Sequence, residues 1–173
     1  MQFPHTYFED EIREGFYITG AMKRAWAAQL EVLEEIDKVC KKHNIRWFAD
    51  CGTLLGAVRH RGYIPWDDDM DICMLRPDYI KFNQVAEQEL PKSFVVLNMH
   101  KEELYLEYMT RVTNGHRLNF DSNYLEKYHD CPYATGIDIF VLDYIAEDEE
   151  EEKERKALAT LIMAAGDEIK EDN

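Results

Sequence analysis

The sequence predicts an α/β (α+β) domain in which a mixed β-sheet is flanked by helices. Three observations carry that expectation: a long stretch of helical apolar period near the start, short apolar runs that alternate with helices after it, and a composition able to close a core. Of 173 residues, 46% are hydrophobic, 12% aromatic and 32% charged, which suits one folded domain and excludes a disordered acidic chain.

From Thr19 to His43 the apolar positions Met22, Trp26, Leu30, Leu33, Ile36, Val39 and Cys40 recur at steps of three and four, the spacing of an amphipathic helix, with Asn44 as its stop. Ile45 to Asp50 is aromatic and β-branched and runs into Gly52, so it reads as a strand feeding a turn. Thr53 is then expected to cap a short helix through Arg59. Met70 to Leu75 alternates and meets Pro77, as a strand does. A second helix is expected over Asp78 to Glu89, with Tyr79, Phe82, Val85 and Ala86 on one face and Pro91 as its stop. Phe94 to Leu97, Leu104 to Val112, Arg117 to Phe120 and Ile137 to Leu142 are further candidate strands.

No linker or repeat divides the chain before its last thirty residues, so one body is expected over 1–146 and an acidic helix or tail over 147–173. That tail carries eleven acids and four bases, a net −7 of the chain's −15. It reads as a solvated helix with acids at the positive end of its dipole and Leu158, Leu161 and Ile162 as a buried stripe.

A charge of −15 argues against a face built for nucleic acid or anionic lipid, and favours ligands that bring a cation. The first residues show no leader pattern, and no apolar run approaches a membrane span, so a cytoplasmic protein is expected. Cys40, Cys51, Cys73 and Cys131 are widely spaced and signal neither a zinc ribbon nor a disulfide framework.

The most informative stretch is Gly62-Tyr63-Ile64-Pro65-Trp66-Asp67-Asp68-Asp69-Met70-Asp71, where four carboxylates fall in five residues as a loop becomes a strand. Like charges this close raise one another's pKa and call for a divalent cation or strong solvation. Alternation along a strand turns Asp69 and Asp71 the same way, so the pair can share one hard metal, with Asp67 joining if the loop stays extended. A calcium loop is excluded: its sixth place holds Ile72 instead of Gly, its twelfth Asp78 instead of Glu, and Pro65 and Pro77 break the flanking helices. Upstream, Gly52-Thr53-Leu54-Leu55-Gly56 lies between strand and helix, where backbone N–H groups and the Thr53 hydroxyl can hold phosphate oxygens. Arg59, His60 and Arg61 follow, and the two arginines suit a phosphorylated ligand. Trp47, Tyr63 and Trp66 are candidates for stacking on a base or enclosing a quaternary ammonium, although aromatics beside a strand more often belong to the core.

Strand, Gly-Thr, short helix, D-x-D and a later carboxylate form a pattern similar to that of the nucleotidyltransferase superfamily. Within it, Cys40 to Phe48, Gly52 to His60 and Gly62 to Ile72 resemble the LicD family, which includes bacterial phosphocholine transferases and, more distantly, fukutin and fukutin-related protein. The resemblance runs from about Gly20 to Asp143 and implies a nucleotidyltransferase-like sheet. It also implies a Mg2+-dependent transferase, using one or two ions or Mn2+, that moves a phosphorylated alcohol from a CDP-alcohol donor to a hydroxyl of a surface glycan or glycolipid and releases CMP. The metal-binding pair of the superfamily maps onto Asp69 and Asp71, and the third carboxylate onto Asp138, with Asp143 as rival. Asp67 would add a ligand or, with Asp68, tune the site from outside. Gly52, Thr53, Gly56, Arg59 and Arg61 would bind the donor. Such an enzyme would work in the cytoplasm, at the inner face of the membrane if its acceptor is lipid-linked. Two alternatives stay open: nucleotide transfer from a nucleoside triphosphate on the same fold, and a catalytically silent domain that binds nucleotide or glycan.

Overall fold

The computed structural model describes residues 1–99, 101, 105 and 107–171, and for 166–171 the backbone alone. A hairpin opens it, β1 (Glu11–Arg13) against β2 (Phe16–Ile18), turning through Glu14 and Gly15 at φ 51° and 79°. Two successive positive φ angles make the tight turn whose twist matches a hairpin, and glycine takes the second place at no steric cost. Strands of three residues are too short to show a period, so the sequence did not announce them.

The helix α1 (Gly20–Lys42) follows, and Thr19 caps it by accepting from the Met22 N–H at 3.2 Å. Asn44, at φ 52°, turns the chain out of the helix and lets the Ile45 N–H reach the Cys40 carbonyl at 2.8 Å. Then come β3 (Phe48–Ala49), α2 (Cys51–Arg59), β4 (Asp71–Leu75), α3 (Arg76–Glu89), β5 (Val95–Leu97), β6 (Thr110–Thr113), α4 (Ser122–Lys127), β7 (Gly136–Leu142) and α5 (Glu149–Glu171). The large sheet runs β3-β4-β7-β6-β5, with β4 and β7 parallel and the other pairs antiparallel. The expected mixed α/β architecture is present.

One face of that sheet makes the core. Ile72 and Met74 of β4, Val112 of β6, and Ile137 and Ile139 of β7 are fully buried against Val32 and Ile36 of α1 and Phe82 and Ala86 of α3. Each such side chain contributes about 1.5–3 kcal/mol by leaving water. The positions between them, Asp71, Cys73, Arg111, Asp138 and Phe140, fall on the other face because side chains alternate along a strand.

Four expectations are corrected. The strand at Ile45 to Asp50 shrinks to Phe48–Ala49, because the backbone has just left α1. The cap of α2 is Asp50, whose carboxylate accepts from the Cys51 N–H at 2.9 Å, while the Thr53 hydroxyl instead accepts from the Asp71 N–H at 2.8 Å. Arg117 to Phe120 is no strand; the chain there leads into α4, capped by Asp121 and too short for a visible period. Leu158, Leu161 and Ile162 of α5 are exposed at 59, 67 and 51%, so the stripe is not buried. Of the candidate strand from Leu104 to Val112, residues 104 and 106 lie outside the described residues, 105 and 107–109 are not strand, and only its end falls in β6.

Candidate active site

The parallel pairing of β4 with β7 sets Asp71 directly opposite Asp138, and the antiparallel pairing of β7 with β6 sets Asp138 opposite Arg111. Three charged side chains therefore stand in one row across three strands, on the sheet face away from the core. Arg111 grips Asp138 at two points, Nε to Oδ1 and Nη2 to Oδ2, both 2.6 Å. The Asp71 backbone is held on both sides, its N–H by Thr53 and its carbonyl by the Asp50 N–H at 3.1 Å. Asp143, the rival third carboxylate, lies past the far end of β7 and is bound by Arg76.

The acidic loop runs directly into β4 at Asp71, and α1 holds it. Trp26 Nε1 donates to the Asp67 carbonyl and Gln29 Nε2 to the Asp68 carbonyl, both at 2.9 Å. The Trp26 ring stacks on Tyr63 at 4.8 Å, and the Tyr63 hydroxyl donates to Gln29 Oε1 at 3.0 Å. The loop backbone is thereby fixed and its carboxylates are turned together: Asp67, Asp68 and Asp69 each offer an oxygen within 4.8 Å of the others.

Electrostatics follow from that crowding. Burial, then the charges of Asp69, Asp138, Asp67 and Asp50, push the Asp71 pKa up to about 6. Burial and a hydrogen bond with Asp69 also raise Asp67. Carboxylates this close repel one another unless a proton or a cation offsets their charge. Hard oxygen donors set this close fit Mg2+ or Mn2+.

A cavity of about 680 Å³ adjoins the loop, walled by Asp67 and Asp69, by Arg61, and by Trp26, Trp47 and Tyr63. Gly52 and Thr53 also face it, and Gly52 is tight: a Cβ there would stand 2.2 Å from Asp67 Oδ2. Gly56 packs on the loop instead, with the Gly62 carbonyl 2.5 Å from where its Cβ would be. Arg59 does not line the cavity and donates to His60 Nδ1 at 3.2 Å, and Trp66, half exposed beside His60, does not line it either. The structure thus gathers Gly52, Thr53, Arg61, Asp67 and Asp69 around the cavity and Asp71 and Asp138 beside it. Gly56 and Arg59 stand apart. Sequence reasoning missed Arg111 and Gln29 and read Trp26 only as core. The outward place of Arg111 between Thr110 and Val112 is a signal, but its partner lies on the neighbouring strand β7, whose pairing is not written locally in the sequence.

A carboxylate centre at the edge of a cavity, set on a mixed α/β sheet, defines the class of domain. The family described as the nucleotidyltransferase domain of LicD, FKTN and FKRP matches residues 44–139, more than half of the chain. This chain belongs to that family. It is similar to the lipopolysaccharide cholinephosphotransferase LicD of Haemophilus influenzae, 43% identical over 60 residues that make up 35% of this chain and 23% of that one. It is also similar to an uncharacterized protein of Rickettsia prowazekii, 34% identical over 87 residues, 50% of this chain and 32% of that one. A third relative, from Rickettsia typhi, is 43% identical over 58 residues. The matched segments span a third or less of these relatives' length. Among the described residues no helix is long and apolar enough to cross a membrane.

Proposed function

We propose that this domain transfers a phosphorylated alcohol, of the phosphocholine kind, from a CDP-alcohol donor to a hydroxyl of a glycan or glycolipid. The observation that carries the reading is the Asp71–Asp138 row beside the Asp67–Asp69 pair, in a chain of this family. Asp69 and Asp71, joined by Asp67, would hold Mg2+ or Mn2+, and Asp138 supplies the third carboxylate, to the cation or to the acceptor's proton. A bound divalent cation supplies charge neutralisation for the diphosphate and the departing CMP. Arg61, on the cavity wall, holds phosphate oxygens. In the step, the acceptor oxygen bonds to the alcohol-bearing phosphorus as the bridging oxygen departs with its electron pair on CMP. The acceptor's proton passes to a carboxylate or water. The apolar walls of the cavity exclude water, which would otherwise take the phosphorylated alcohol in the acceptor's place.

The test is thermal unfolding with Mg2+ alone and with Mg2+ plus CDP-choline, CDP-ribitol, CDP-glycerol, CMP or CTP, repeated on Asp69→Asn/Asp71→Asn. A metal-dependent rise in Tm with one CDP-alcohol, abolished in the variant, supports the reading. A rise with CTP alone favours nucleotide transfer, and no rise with any nucleotide sinks both.

A further inference from the structure

Arg111 has no role in the proposal above, yet it occupies both oxygens of the carboxylate on which the proposal depends. A carboxylate gripped by a guanidinium at two points is a weak base and a hindered metal ligand, because both its lone-pair directions along the fork are taken. Asp138 can serve the site only if Arg111 lets go. The pair is built for that. Asp138 is mostly covered, its side chain 14% exposed, whereas the Arg111 side chain is 43% exposed and can turn without leaving water. The Tyr105 hydroxyl, close enough to feel both charges, is buried and without a hydrogen-bond partner among the described residues, so a polar ligand atom has a waiting partner beside Arg111.

We infer that Arg111 is the resident counter-ion of Asp138, displaced when a divalent cation binds the acidic row, and that the freed guanidinium then holds a phosphate oxygen of the donor. Arg111 is in this sense a positioning residue for Asp138 before loading and a phosphate ligand after it. The inference rests on the cation site proposed above. It explains how one face of the sheet stays folded with four carboxylates nearby when no cation is present: one guanidinium neutralises the row until the metal takes over. It also makes metal and donor binding cooperative, since the metal releases the group that the donor needs.

The experiment is isothermal titration of the full chain with Mg2+, then with CDP at saturating Mg2+, in wild type, Arg111→Gln and Arg111→Lys. CDP carries the diphosphate common to such donors. Removing the competitor should tighten Mg2+ binding about tenfold in Arg111→Gln, while CDP binding weakens about tenfold or more. Arg111→Lys, which keeps the charge but loses the fork, should shift both constants in the same directions by less, and it carries the test if Arg111→Gln does not fold. A merely structural role would weaken both ligands together, so Mg2+ binding that is unchanged or weaker in the variants overturns the inference. CDP binding that is unchanged overturns the hand-over to phosphate. If wild type itself shows no heat with Mg2+, the cation site fails, and this inference fails with it.

Discussion

Asp71 is 8% exposed and holds its proton up to about pH 6, well above the ordinary 3.8 of an aspartate. The sign of the consequence is fixed. Because the fold raises this pKa, the residue's contribution to metal-free stability is fully present below about pH 4 and lost as pH rises through about 6. Thermal unfolding without metal should therefore show Asp71→Asn flattening the pH dependence between 4 and 6 and raising Tm at pH 7.5 by several degrees. A carboxamide keeps the shape and removes the charge that burial opposes. Mg2+ should stabilise wild type more at pH 7.5 than at pH 5, because only the ionised row attracts it. Equal metal-induced shifts at the two pH values would count against a role for Asp71 in holding the cation.

At the scale of elements, the acidic loop is set by two helices, α1 and α2. Trp26→Phe removes the bond to the Asp67 carbonyl and keeps most of the ring stack. It should cost about 1 kcal/mol in denaturant unfolding and weaken Mg2+ several-fold by titration, since a loosened loop spreads its carboxylates. The glycines of α2 separate placement from folding. Gly52→Ala meets only the movable end of Asp67, so Mg2+ affinity should fall about tenfold with little loss of stability; Gly56→Ala meets the Gly62 carbonyl, and unfolding should show a loss of about 1–3 kcal/mol or more. The long elements were legible because period survives in them: α1, β4, α3 and β7 lie within a residue or two of the expected Thr19 to His43, Met70 to Leu75, Asp78 to Glu89 and Ile137 to Leu142. What escaped was either short, as with the hairpin and α4, or depended on pairing. Nothing local in Thr110-Arg111-Val112 says that the arginine faces Asp138, and nothing in Trp26 says that its N–H leaves the core to hold a loop. The carboxylates themselves were legible, because crowding of like charge is a local property.

For the molecule as a whole, charge is unevenly placed. Nearly half the net charge sits in 147–173, and the apolar side chains of α5 at 158, 161 and 162 are exposed, so the helix adds little burial to the domain before it. It is tied by the Tyr108 hydroxyl donating to the Ile162 carbonyl and by Glu152 accepting from the Ala146 N–H. A chain ending at Ala146 should therefore keep Tm within a few degrees and keep its Mg2+ shift, as read by thermal unfolding with and without metal. Loss of the cooperative transition would show that α5 supports the body after all.

The parallel register of β4 and β7 joins residues 67 positions apart in the chain, Asp71 and Asp138, and the strands that flank them depend on that closure. A pairing so distant in sequence is among the slower events of folding, since the loop must close before any contact rewards it. The Asp71–Asp138 row therefore forms only with that closure, whereas the Asp67 to Asp69 cluster is local in the chain. A lanthanide that luminesces when chelated should gain intensity as Asp138 joins the loop carboxylates, and that gain would time the closing of the sheet.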